Sequence, residues 1–189
     1  FAPFLEYDDR ESSTWLLSAI DAATNPAPMA HRGCIKVNAT LPALNSAKEI
    51  EELLQSFAGC DTVKIKVGEN LGQDIVRVAR VRALLPKAKL RLDVNGGWSV
   101  EQALIGLYEI YEEVGPLEYV EQPCATLEEL RQLKEKLAFE IKIAGDEVIR
   151  KAEDPFAINL QGAVDILMLK ASPLGGITRA REIGAHHKL

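Results

Sequence analysis

Acidic residues recur along this chain at the ends of short apolar stretches, at intervals that constrain the fold more than any other feature. Asp93, Glu121 and Asp146 each close such a stretch, with Lys66 one stretch earlier and Lys170 one stretch later. The steps 66 to 93, 93 to 121, 121 to 146 and 146 to 170 are 27, 28, 25 and 24 residues. A strand, a crossover helix and two loops occupy about that length in a parallel barrel of roughly 250 residues. The spacing therefore predicts that these five side chains meet at one rim.

Six apolar segments alternate with helical patterns after a proline-rich break at residues 25–28. The predicted strands are 35–40, 62–67, 89–94, 117–121, 140–144 and 164–169. The predicted helices are about 12–24 (capped by Ser12 or Ser13), 46–57, 73–85, 99–114, 126–137, a short one near 154–161, and 177–186. Strands joined by crossover helices must be parallel, so the fold class is α/β.

The phase of the polar residues separates a barrel from an open doubly wound sheet. Lys64 and Lys66 share one face of their strand, and the polar residues of 89–95 also share one face. A buried parallel strand is normally apolar on both faces, so a polar face indicates a barrel interior that leads to a site. An open sheet would bring a glycine-rich phosphate loop after its first strand, and Gly96-Gly97 is too short for that role. We therefore expect a (β/α)8-type TIM barrel.

Composition and charge exclude several classes of partner. Of the 189 residues 47% are hydrophobic, enough for a packed core, and the formal charge of −6 argues against nucleic-acid binding. Three cysteines are too few and too scattered for a disulfide framework or a thiolate zinc site, which favours a cytoplasmic location. No apolar run approaches the roughly 18 residues that span a membrane. We expect no nucleic-acid or membrane partner, and the sequence leaves a homo-oligomer open.

The chemistry of the five converging residues predicts a metal site. Three carboxylates would raise one another's pKa unless a divalent cation offset their repulsion. Oxygen ligands without histidine or thiolate favour Mg²⁺, with Mn²⁺ as a substitute; Glu147 is an alternative to Asp146 as the third ligand. Lys66 and Lys170 come from strands four apart, and would face each other across the metal. A lysine near such a cation is expected to have a lowered pKa and to serve as a general base.

Five motifs in this order resemble the enolase superfamily, in its branch with a lysine on each side of the site. They are Lys64-Ile65-Lys66, Asp93-Val94-Asn95, Glu121-Gln122-Pro123, Gly145-Asp146-Glu147 and Lys170. Within the superfamily, the opening Phe1-Ala2-Pro3-Phe4-Leu5-Glu6-Tyr7 and the stretch from Asp93 to Ser99 most resemble o-succinylbenzoate synthases of the actinobacterial type.

The resemblance implies a carbon–oxygen lyase of menaquinone biosynthesis that uses Mg²⁺ and acts on a small carboxylate. Its reaction would be the syn dehydration of a succinyl-hydroxycyclohexadiene carboxylate through an enediolate. By the same resemblance Lys66 is the acid/base and Lys170 the opposing cation. The implied metal ligands are Asp93, Glu121 and Asp146, and the residues that orient them are Lys64, Asn95 and Glu147. Two alternatives remain: an N-succinylamino acid racemase or dipeptide epimerase with the same lysines, and an inactive fragment of such an enzyme.

The same resemblance divides the chain into two parts. Residues 1–30 correspond to the C-terminal segment and linker of an α+β capping domain, and residues 31–189 to a partial barrel that carries the metal site. Because Phe1 opens the chain without a methionine and only six strands are found, we expect a fragment whose last two strands lie beyond Leu189.

Overall fold

Six parallel strands form one sheet whose order follows the sequence. The computed structural model describes residues 7–30 and 32–187; the opening motif at residues 1–7 lies outside them except for Tyr7. The strands are β1 Ala39–Leu41, β2 Thr62–Lys66, β3 Lys89–Asp93, β4 Tyr119–Glu121, β5 Ile143–Gly145 and β6 Ile166–Leu167. β1 and β6 are the edges, and neither has a second partner strand within the described ranges. The predicted α/β architecture with six parallel strands is confirmed.

Seven helices connect and precede these strands in the described part of the chain. They are α1 Asp9–Thr24, α2 Ala47–Ser56, α3 Leu71–Leu84, α4 Val100–Val114, α5 Leu127–Lys136, α6 Glu147–Arg150 and α7 Ile177–His186. The first five each follow a residue whose side chain accepts a hydrogen bond from the backbone three residues on: Asp8, Ser46, Asn70, Ser99 and Thr126. Such caps satisfy N–H groups that the helix itself leaves unpaired. None of the described helices has the length and apolar character to cross a bilayer.

The strands separate an apolar face from a polar one. Val63, Ile65, Leu90 and Leu92 alternate with the polar residues and are fully buried in the core with apolar residues of α3 and α4, such as Val78. Burying one such side chain contributes about 2 kcal/mol. The intervening positions of β2 and β3 carry Lys64, Lys66, Arg91 and Asp93 on the opposite face.

Three predicted boundaries are wrong for identifiable reasons. Residues 35–38 are not a strand, since Ile35 and Val37 are 75% and 67% exposed and no layer packs on them. The first helix begins at Asp9 after Asp8, so neither Ser12 nor Ser13 is its cap. The short helix expected at 154–161 is absent there. Asp154 and Asn159 accept hydrogen bonds from backbone N–H groups two residues on, an arrangement that competes with helix formation. The short helix is α6, directly after β5.

Candidate metal and lysine site

Strand register places the predicted residues in one row across the sheet. The Cα of Lys66 pairs with that of Asp93, and Asp93 pairs with Glu121. Glu121 pairs in turn with Ala144, two residues before Asp146. Paired residues of parallel strands point to the same face, as do residues two apart on one strand. The row therefore brings the three acids to one rim, at the carboxyl ends of β3, β4 and β5.

The three acids are buried, and ammonium groups lie between them. Glu121 and Asp146 are fully buried and Asp93 is 8% exposed. Lys64 Nζ lies 2.9 Å from Asp93 Oδ2 and 3.0 Å from Glu121 Oε2. Lys170 Nζ lies 3.6 Å from Glu121 Oε1 and 2.7 Å from Asp146 Oδ2. The side chains thus alternate in charge along the row.

Lys66 lies beside Asp93 at one end of this row, and Lys170 lies between Glu121 and Asp146 towards the other end. Lys66 Nζ is 3.8 Å from Asp93 Oδ1, and Lys170 Nζ is bonded to Asp146. Their side chains are 31% and 43% exposed, so solvent reaches both. Lys170 lies three residues past β6, which is shorter than predicted. Lys170 is therefore carried by the turn after the strand.

Burial and neighbouring charges shift the pKa values of several groups in the site. Burial and the neighbouring Asp93 raise the pKa of Glu121, and burial and the neighbouring Glu147 raise that of Asp146. Burial lowers the pKa of Lys170, but the hydrogen bond to Asp146 and the charges of Asp146 and Glu121 together outweigh this, and the pKa is raised. The pKa of Lys64 is raised in the same way. The lowered pKa expected for a lysine beside a bound divalent cation stays a prediction.

Buried carboxylate oxygens without hydrogen-bond partners fit a hard cation. Asp93 Oδ1, Glu121 Oε1 and Asp146 Oδ1 are each buried in this condition. Such groups require an explanation, and a bound ion is one. Carboxylate oxygens are the donors that Mg²⁺ and Mn²⁺ prefer. No three His, Cys, Asp or Glu side chains of residues 7–30 and 32–187 already form a metal-binding group, and Lys64 and Lys170 instead lie between the acids.

Asn95 and Glu147, which were predicted to orient the metal ligands, contact each other. Asn95 Nδ2 donates to Glu147 Oε1 at 2.9 Å, which joins the loop after β3 to α6. Arg150 Nη2 reaches the same oxygen at 3.0 Å. Burial raises the pKa of Glu147, but these hydrogen bonds outweigh it and the pKa is lowered. Asp146 is therefore hydrogen-bonded to Lys170 of the row, whereas Glu147 is hydrogen-bonded to Asn95 and Arg150.

Two residues of the site were not predicted from the sequence. Gln122 is fully buried; its side chain donates to Cys124 O at 2.8 Å and accepts from the backbone N–H of Asp146 and Val148. Arg150 reaches both Asp146 and Glu147. The signal for Gln122 was its place beside Glu121 at a strand end. Arg150 follows Asp146 by one helical turn, but on so short a helix that spacing is a weak signal.

The chain matches the models of two known families. The family described as enolase C-terminal domain-like matches residues 46–187, and one described as enolase N-terminal domain-like matches residues 1–23. The first match covers the whole row from Lys64 to Lys170. The second falls inside the predicted capping segment, and the predicted boundary at residue 30 stays a prediction.

Relatives and solved structures agree with this match. The chain is 48% identical to an o-succinylbenzoate synthase of Mycobacterium ulcerans and 45% identical to one of Mycolicibacterium smegmatis, each over 98% of the chain. It spans 56% and 57% of those proteins. A dipeptide epimerase structure from Enterococcus faecalis is similar at 30% identity and a TM-score of 0.69, covering 80% of this chain and 44% of that one. The sheet therefore corresponds to part of the barrel of enolase-superfamily enzymes.

Proposed function

This chain belongs to the enolase superfamily through its enolase C-terminal domain-like region, and from that premise we propose that it is the barrel part of an o-succinylbenzoate synthase. The proposed reaction is the dehydration of a succinyl-hydroxycyclohexadiene carboxylate in menaquinone biosynthesis. The observation that carries the proposal is a pair of lysines in a row of three buried acids, with Lys66 beside Asp93 and Lys170 between Glu121 and Asp146. Identities of 45% and 48% to named synthases support the choice of reaction.

We propose that Asp93, Glu121 and Asp146 hold Mg²⁺, with Mn²⁺ able to replace it. The orphaned buried oxygen on each of them supports this assignment. When bound, the cation polarises the substrate carboxylate and lowers the energy of the charge that develops there. Lys64 bridges Asp93 and Glu121, and the hydrogen bond between Asn95 and Glu147 joins the loop after β3 to α6. These contacts orient the acids.

In this proposal Lys66 moves the proton. Of the three lysines in the row, its Nζ lies farthest from a carboxylate oxygen, at 3.8 Å against 2.9 Å for Lys64 and 2.7 Å for Lys170. It is therefore the least restrained, and is placed to take the α-proton at Nζ and return it to the departing hydroxyl. The ammonium of Lys170, on the opposite side, stabilises the negative charge of the enediolate.

The substrate class and the location follow from the same features. Two lysine side chains that are 31% and 43% exposed favour an anionic, small carboxylate substrate. We propose a cytoplasmic location, in keeping with the sparse cysteines. A homo-oligomer and the absence of nucleic-acid or membrane partners stay predictions.

A second candidate function is racemisation or epimerisation of an N-succinylamino acid or a dipeptide. The similarity to the Enterococcus faecalis epimerase favours it, because two lysines on opposite faces are what two-base proton transfer needs. Parallel assays on the full-length protein discriminate the two: formation of 2-succinylbenzoate followed by absorbance, and exchange of the α-proton of an N-succinylamino acid followed by NMR in deuterium oxide. Dehydration much faster than exchange supports the synthase.

Lysine variants and cation removal test the mechanism. Lys66→Ala and Lys170→Ala are each expected to lower kcat by at least about 100-fold, whereas Lys136→Ala, at an exposed position of α5, keeps wild-type activity. Treatment with EDTA should abolish activity and added Mg²⁺ should restore it. Full activity of Lys66→Ala would refute the assigned role. The same assay on the 189 residues alone tests the alternative that this segment by itself is inactive.

A further inference from the structure

One guanidinium joins three carboxylates that come from two distant parts of the chain. Arg150 Nε lies 3.3 Å from Asp146 Oδ2 and its Nη2 lies 3.0 Å from Glu147 Oε1. Its Nη1 lies 3.6 Å from Glu11 Oε1, in the first turn of α1. The side chains of Arg150 and Glu11 are both 17% exposed. The third contact therefore links the N-terminal helix to the acids of the site.

The start of α1 lies against the segment that carries Asp146. Arg10 Nη2 donates to Lys151 O at 2.8 Å, next to the Glu11–Arg150 contact. Farther along α1, Asp21 Oδ1 accepts a hydrogen bond of 3.4 Å from Thr178 of α7. Arg10 and Glu11 thus hold the same end of α1, but Arg10 contacts a backbone carbonyl whereas Glu11 contacts a side chain of the site. This difference makes the two residues a matched pair.

The geometry of a guanidinium makes this linkage rigid. Its N–H groups point in fixed directions within one plane, so contacts at all three nitrogen atoms determine its orientation. If Glu11 loses its charge, Nη1 loses its anionic partner in a largely buried setting, and the group can turn towards another acceptor. Because Nε and Nη2 belong to the same plane, such a turn also moves the contacts to Asp146 and Glu147.

We propose that Arg150 is a positioning residue that transmits the docking of α1 to Asp146 and Glu147 and thereby sets the cation affinity of the site. This step rests on the proposed function in one respect, the role of Asp146 as a metal ligand. Glu11 keeps Arg150 in the orientation that holds both acids. The N-terminal segment then contributes to the metal site without touching the cation.

The test compares Glu11→Gln, Arg150→Gln, the double variant, Arg150→Lys and the control Arg10→Gln in the full-length protein. Mn²⁺ affinity is measured by titration calorimetry, and thermal unfolding is recorded for each variant. Arg150→Gln should weaken Mn²⁺ binding at least about tenfold, as is typical when a residue behind a ligand is lost. Glu11→Gln should weaken it by about twofold to tenfold, and the double variant no more than Arg150→Gln alone, because the effect of Glu11 passes through Arg150. Arg150→Lys should recover only part of the affinity, since a single ammonium group cannot make all three contacts of the guanidinium.

The control separates positioning from simple tethering of α1. Arg10→Gln loosens the same end of the helix, and is expected to lower the unfolding temperature without changing Mn²⁺ affinity. Equal losses of Mn²⁺ affinity in Arg10→Gln and Glu11→Gln, or additive losses in the double variant, would overturn the proposal. Crystal structures of Glu11→Gln and Arg150→Gln give a readout that needs no metal: the carboxylates of Asp146 and Glu147 should be displaced, and unchanged positions would equally overturn the proposal. A wild-type protein that binds no Mn²⁺ would refute the proposed cation site, and the crystal structures would then decide the inference alone.

Discussion

The side-chain oxygen of Gln122 accepts a hydrogen bond of 3.0 Å from the backbone N–H of Asp146, inside the protein. The same oxygen accepts a second hydrogen bond of 3.2 Å from the backbone N–H of Val148. Gln122 itself has a positive φ of 42°, which turns the chain directly after β4. A residue at the end of one strand thus fixes the backbone that carries an acid at the end of the next.

Replacing Gln122 by methionine should destabilise the protein by about 3 kcal/mol. Methionine has a similar size but cannot accept the two N–H groups, and each buried unsatisfied group costs about 1–3 kcal/mol. Urea unfolding followed by circular dichroism measures the loss. Gln132→Met is the control, because the hydrogen bond from Gln132 to Glu128 on α5 is exposed to solvent, and the change should stay within about 0.5 kcal/mol. Equal stabilities of the two variants would contradict this assignment.

Gly145, the residue before Asp146, has no room for a side chain. A Cβ at this position would lie 2.9 Å from Val164 Cγ2 and 3.1 Å from Val148 Cγ2. Gly145→Ala is therefore expected to cost about 1–3 kcal/mol through overpacking and to displace Asp146.

Thermal unfolding with a matched alanine substitution checks the Gly145 prediction. Gly72, near the start of α3, has its nearest atom at an ordinary 3.6 Å, so Gly72→Ala should be neutral or stabilising by up to about 1 kcal/mol. A Gly145→Ala protein as stable as Gly72→Ala would mean that the valines move aside at no cost.

The three cysteines should differ widely in reactivity. Cys124 is fully buried, and burial together with the charge of Glu129 raises its pKa to about 12. At pH 8 only about one ten-thousandth of such a thiol is ionised. Cys34 is exposed and Cys60 is half-buried. Iodoacetamide labelling with mass spectrometry should modify Cys34 first and Cys124 only on unfolding, and Cys34→Ser should remove the fast phase. Early labelling of Cys124 in the folded protein would show that the core opens there.

The site was predictable where chemistry coincides with strand period, and not where it depends on contacts between distant residues. Lys66, Asp93 and Glu121 each end a strand, and the two-residue period of β2 and β3 already placed the polar side chains on one face. The link between α1 and α6 joins residues up to 141 positions apart, and no local pattern encodes it. The strand expected at 35–40 begins only at Ala39, because residues 35–38 are exposed and pair with no strand, and the sequence alone does not give that exposure.

An ion-pair group at the opposite end of the sheet should govern part of the acid stability. Burial raises the pKa of Glu118, but hydrogen bonds from Lys89 at 2.9 Å and Arg91 at 2.5 Å outweigh it, so the pKa is lowered. A carboxyl with a lowered folded-state pKa stabilises the fold above its unfolded-state pKa, and this contribution is lost as the pH falls through the folded-state value. Glu118→Gln should lower stability at pH 7 by an amount on the order of 1 kcal/mol and flatten the decline below about pH 4.5. Lys89→Met, which removes one of the two partners, should give an intermediate profile. Urea unfolding from pH 7 to pH 3 measures these profiles, and an acid decline in Glu118→Gln as steep as in the wild type would rule out Glu118 as a source of the pH dependence.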